Sequence, residues 1–167
     1  MPAVTPCPAN GDHRTPTPED LAYSLTLPAA LSSPAIARAA TRTVLAAHGL
    51  TALLDPATQM VSELISAGCQ FGAASAEVYL SLRFRDGALR VIVYDAHPRH
   101  THPRLAAACD ARRRAALRLL ACVARACEGE WGFGEAREPG GGTRMWGTVP
   151  CEGGAAYGLV RRPGRRT

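Results

Sequence analysis

Apolar and small or polar residues alternate over Leu21, Tyr23, Leu25 and Leu27, the period-two signature of a half-buried strand, and Pro28 ends the run. From Pro34 to about His48 the period changes to that of a helix, with Ile36, Ala40, Val44 and Ala47 on one side. Ser33 is a plausible N-cap there, Pro34 suits a first helical position and Gly49 follows the end. A second helix opens on Asp55-Pro56, and its stripe of Ala57, Met60, Val61, Leu64, Ile65 and Gly68 carries Glu63 at its edge. Val78, Leu80, Leu82 and Phe84 then alternate, Asp86-Gly87 supplies a tight turn, and Leu89, Val91 and Val93 alternate on the return, which predicts a β-hairpin ending at Asp95.

The prolines of His97-Pro98-Arg99-His100-Thr101-His102-Pro103-Arg104 break regular structure and predict a surface loop. One long Ala/Leu/Arg helix is expected from about Leu105 to Cys127, and then a second hairpin of Glu130–Arg137 and Thr143–Val149 with Trp131 and Trp146 in the core. Residues 1–20, with five prolines and no apolar period, read as a disordered arm; residues 151–167, rich in Gly and Arg, read as a flexible basic tail. The domain is thus expected over 21–150. Its order of strand, helix, helix, hairpin, loop, helix, hairpin predicts an α+β fold: a two-layer α/β sandwich with helices on one face of a mixed, mostly antiparallel sheet.

Composition changes this picture little. The chain of 167 residues is 47% hydrophobic, enough for one real core. Its net charge of +5 owes much to Arg161, Arg162, Arg165 and Arg166 in the tail, and all 19 basic residues are Arg, which reads as codon bias rather than as a set of phosphate forks. Nucleic acid therefore ranks last as a partner. The six cysteines form no C-x-x-C pair and are expected to be reduced and mostly buried. No charged-then-apolar leader pattern opens the chain and no apolar run approaches the roughly 18 residues of a membrane span, so a cytoplasmic location away from membranes is expected.

Several pieces carry chemistry in their order: Ser62-Glu63-Leu64 on a helix, the strand Leu89-Arg90-Val91-Ile92-Val93-Tyr94-Asp95, Glu130-Trp131-Gly132, and Gly141-Gly142-Thr143-Arg144-Met145-Trp146 before the last strand. In that order they resemble the histidine kinase/gyrase-type ATPase domain, and most closely the anti-sigma-factor serine kinases and their stand-alone regulatory relatives. The resemblance covers about residues 21–150. It implies that Glu63 is the general base, that Asp95 accepts from the adenine amino group and that Thr143 reaches the base directly or through water. It implies ATP as cofactor and a sigma factor or an anti-anti-sigma protein as partner, and it admits a homodimer.

The chain departs from that pattern at several positions. Ala67 stands where the family has the Asn that holds Mg²⁺, and a methyl group cannot ligate a metal. No glycine follows in Asp95-Ala96-His97-Pro98, and none lies between Arg113 and Leu120, where backbone amides would cradle phosphates. Arg112, Arg113 and Arg114 could supply charge instead, but the run reads more simply as a solvated helix face. His97, His100 and His102 suggest a metal cluster but lack a matching carboxylate or Cys set, so the plainer reading is a solvated loop and no metal site is assigned. The favoured expectation is a kinase-like regulatory protein in bacterial transcription that has lost most nucleotide binding and acts through protein–protein contact. The alternative is an active Mg-ATP-dependent serine/threonine kinase of the anti-sigma type.

Overall fold

The computed structural model describes residues 14–137 and 141–160. The chain forms strand β1 (Ala22–Pro28), helix α1 (Ser33–Ala47), helix α2 (Leu54–Phe71), strands β2 (Glu77–Arg85) and β3 (Ala88–Asp95), helices α3 (Pro103–Ala116) and α4 (Arg118–Ala126), strands β4 (Trp131–Glu135) and β5 (Thr143–Pro150), and helix α5 (Cys151–Val160). The strands form one sheet in the order β1-β2-β3-β5-β4, and all four pairings are antiparallel. The fold is α+β: the described residues form five helices and an open five-stranded sheet, as a two-layer sandwich requires.

Alternation along the strands decides what faces the helices. Leu80, Leu82, Leu89, Val91, Val93, Met145 and Val149 are buried, and they meet the stripe of α2 formed by Met60, Val61, Leu64 and Ile65. Gly68 lets α2 lie close to the sheet, because a Cβ there would stand 3.0 Å from Val78 Cγ1 and 3.4 Å from Val93 Cγ1. The β2–β3 turn is built as its sequence demands: Asp86 and Gly87 have φ of 54° and 70°, the left-handed pair of a type I′ hairpin.

The opposite face of the sheet carries no described helix. Tyr79, Ile92, Tyr94 and Trp146 emerge there among the exposed Arg83, Arg90 and Arg144. Trp146 is therefore half-buried on this open face rather than in the core, while Trp131 packs half-buried at the core's edge.

Three further expectations are corrected. The long helix breaks at Leu117, which is fully buried, into α3 and α4. The physical reason is unequal patterning: Leu120, Val123 and Ala124 give α4 an apolar stripe, whereas Arg113 is the one buried residue of α3. Part of the expected tail is helix α5, whose Tyr157 packs on the core; residues 161–167 lie outside the described region. Of the expected arm, residues 14–20 are described and are tied down. Pro18–Asp20 form a 3-10 turn closed by Thr17 and Asp20, and the Thr17 carbonyl meets His48 Nδ1.

Candidate functional site

The alternation that buries Leu89, Val91 and Val93 also buries the last residue of β3, so Asp95 ends the strand on the helix side, only 3% exposed. Its partner comes from α3. Arg113 Nη1 donates to Asp95 Oδ2 at 2.6 Å and Nη2 to Oδ1 at 3.5 Å, while Nη1 also lies 3.1 Å from Met145 Sδ. The guanidinium lies over the ring of Phe71, at the end of α2, 3.9 Å from its centroid. Both side chains are withdrawn from water, 2% and 0% exposed. A buried ion pair of this kind is held by its geometry and its further hydrogen bonds rather than by net charge attraction. Here Asp95 Oδ1 also accepts from the His97 backbone N–H at 2.9 Å.

Thr143 stands directly opposite Asp95 in the β3–β5 register and is also buried. Its hydroxyl donates to the His97 carbonyl at 2.9 Å. Two of the residues singled out in the sequence thus converge on one loop residue: Asp95 holds the amide of His97 and Thr143 holds its carbonyl. Gly142 fits against this corner, with φ at 97° and its Cα facing the Asp95 carbonyl.

Glu63 is held by a different partner. It lies half-buried on the flank of α2, in line at four-residue spacing with Ala67 and Phe71, and its Oε1 accepts from Gln59 Nε2 at 2.9 Å. Ala67 is part of the core at 2% exposed. Glu63 and Asp95 share no hydrogen-bond partner among the described residues: Glu63 is served by Gln59, and Asp95 by Arg113 and His97. Burial pushes the Glu63 carboxyl above its ordinary value, only partly offset by the Gln59 bond.

A raised carboxyl binds its proton more tightly folded than unfolded, so stability falls as pH rises from the unfolded value through the folded one. Glu63→Gln, which is neutral throughout, is therefore expected to unfold at slightly higher denaturant than the parent at pH 7, by less than about 1 kcal/mol because the side chain remains partly wet. The gain should vanish near pH 3, which paired urea titrations at the two pH values would check.

Beside Asp95 and Arg113 the loop 96–102 closes over a small cavity of about 10 Å³, whose lining includes His97, His100, Cys109, Asp110, Arg113 and Thr143. That is room for about one water. His97 Nε2 and Cys109 Sγ are 3.4 Å apart, the His97 and His100 rings meet edge to face at 5.2 Å, and Phe71 packs against His97 at 5.6 Å. Arg99 and Asp110 form an ion pair at 2.9 Å on the same wall. Burial, then the neighbouring charges of Arg113, His100 and Arg112, hold the His97 imidazole below its usual range, against the opposing pull of Asp95.

The reading of the Arg112–Arg114 run as a solvated face is corrected for its central member, because Arg113 is buried while its two neighbours are exposed. Nothing in three consecutive arginines says which one turns inward. Of the three histidines read together in the sequence, His97 and His100 are brought beside Cys109 from the second turn of α3, whereas His102 is not part of that group. Compared with protein-family models and with curated proteins, the chain matches none.

Proposed function

We propose that this is a cytoplasmic regulatory protein of bacterial transcription, built on the ATPase sandwich that its motif order resembles, which binds a sigma factor or an anti-anti-sigma protein without needing nucleotide. The observation that carries the reading is the Arg113 guanidinium on Asp95. The carboxylate that would accept from adenine is already engaged on both oxygens, by an internal cation and a backbone amide. The space beside it, about 10 Å³, compares with roughly 300 Å³ or more for a small-molecule site. Ala67 adds no metal ligand, and Glu63 is bonded to Gln59. The alternative, a Mg-ATP-dependent kinase with Glu63 as base, would require Arg113 to leave a buried pair.

For the partner we assign the open face of the sheet. Tyr79, Ile92, Tyr94 and Trp146 give it an apolar centre, with Arg83, Arg90 and Arg144 around it. Arg83 and Arg90 stand directly opposite each other across β2 and β3. Like charges so placed repel, and although Arg90 is partly offset by Asp86 at 3.3 Å, an acidic protein surface would relieve Arg83 and Arg144 as well.

Calorimetry tests both parts. ATP is expected to give no binding heat with or without Mg²⁺, whereas purified sigma factors or anti-anti-sigma proteins should include a saturable ligand in the absence of nucleotide, weakened at least tenfold by Arg83→Glu/Arg144→Glu. Mg²⁺-dependent micromolar binding of ATP would overturn the reading in favour of the kinase.

A further inference from the structure

We infer that His97, His100 and Cys109 form a zinc site at the junction of the 96–102 loop and helix α3. Each offers one ligand atom, and the three atoms all lie within 4.8 Å of one another. Imidazole nitrogen and thiolate sulfur are the donor set that selects zinc over hard cations such as Mg²⁺ or Ca²⁺. Zinc–nitrogen and zinc–sulfur bonds of about 2.0–2.1 Å and 2.3 Å at a tetrahedral angle place the two ligand atoms about 3.6 Å apart. His97 Nε2 and Cys109 Sγ already stand 3.4 Å apart, so one edge of the tetrahedron exists before any metal enters. His100 needs only a small movement of the loop to complete the face. With three protein ligands, the fourth position falls to water or an exchangeable ligand.

The site is also held in place from behind. The His97 amide is bonded to Asp95 and its carbonyl to Thr143, while Phe71 packs on its ring. Cys109 rides on a helix that is itself pinned by Arg113. Two ligands are thus presented by a loop and a helix that the buried ion pair ties together; the backbone bonds fix where His97 sits and the Phe71 contact restricts its ring.

The surrounding charges are mostly cancelled. Arg113 is neutralised by Asp95 and Arg99 by Asp110, which leaves Arg112, over the outer side of Phe71, as the nearby cation among the described residues that works against metal. A thiolate at Cys109 opposes it. The proposal is independent of the partner-binding reading, since zinc would anchor the loop whether or not a partner binds the far face of the sheet.

Titration of the full chain with Co²⁺, followed by Zn²⁺ competition, tests it without nucleotide or partner. Wild type and Cys122→Ser, whose thiol is exposed elsewhere, should each take up one equivalent with a thiolate-to-cobalt charge-transfer band that Zn²⁺ abolishes. Cys109→Ser should lose the band. His100→Gln, a loop change that leaves the core untouched, should keep the band but bind at least tenfold more weakly. The absence of a band in wild type, its persistence in Cys109→Ser, or wild-type affinity in His100→Gln would each overturn the assignment.

Discussion

Urea unfolding of Arg113→Ala is expected to give a free energy about 3–5 kcal/mol below that of the parent chain, because the substitution strands the Asp95 carboxylate in a site that water does not reach. The loss is large against the roughly 5–15 kcal/mol that holds a domain of this kind together. Its local signature should be equally distinctive. Arg113 is the one buried residue of α3, so its removal should free that helix, and amide exchange should show α3 losing protection while the β2–β3 hairpin keeps its own. Asp95→Ala should cost a similar amount by leaving the guanidinium unpaired. The double variant Asp95→Leu/Arg113→Met, which replaces both charges with apolar volume, is expected to regain most of the loss. Additive losses in the double variant would mean that the two side chains act separately and that the pair is not what pins α3.

Gly153→Ala is expected to destabilise the fold by about 1–3 kcal/mol, the usual cost of forcing extra volume into a packed contact. A Cβ at Gly153 would land on the carbonyl oxygen of Cys127, a backbone atom that cannot rotate aside. The neighbouring Gly154 is less rigidly constrained, because its close contacts, Leu53 Cδ2 and Val149 Cγ1, are side-chain ends. The sign of the effect is what matters. In an undocked or flexible segment the same change would be neutral, or would favour helix by up to about 1 kcal/mol through alanine's better propensity. Thermal or urea unfolding therefore decides whether α5 is seated on α2, β5 and the Cys127 backbone: a stabilised Gly153→Ala would show that it is not.

The parts of the molecule legible in the sequence are those whose signal repeats. Sustained alternation announces β2 and β3, and a sustained helical period announces α2, because each buried position there is reinforced by the next one on the same face. For α1 the period announces a helix but not its inward face, since Ser33, Ala37, Thr41 and Leu45 are buried while Ile36 and Ala47 are exposed. The hairpin turn is readable from two residues, since Asp86-Gly87 fits the left-handed conformation both must adopt. By contrast, α5 has no apolar stripe to announce it; its glycines look like flexibility in a sequence and act as close-approach surfaces in the fold. The break at Leu117 is hidden for a related reason. Leucine, alanine and arginine all favour helix, and only the requirement that α4 lie on α2 while α3 carries a polar face ends one segment and starts the next.

The candidate site divides in the same way. Asp95 and Thr143 could be singled out in the sequence through the resemblance, but expecting Trp146 in the core put the other face of β5 inward, and only the structure shows Thr143 buried beside Asp95. What they bond to could not be read, because Arg113, Phe71 and His97 reach them from three other segments of the chain. Local pattern records only neighbours along the backbone, so by itself it determined the α+β layering, the inward face of β2 and β3 and the residue types on offer, but not the inward face of β5. The tertiary structure alone decided that one of three adjacent arginines turns inward to close the Asp95 carboxylate, and that a helix cysteine meets two loop histidines. Those outcomes depend on which side chains burial brings together and must satisfy there, and burial is a property of the packed chain.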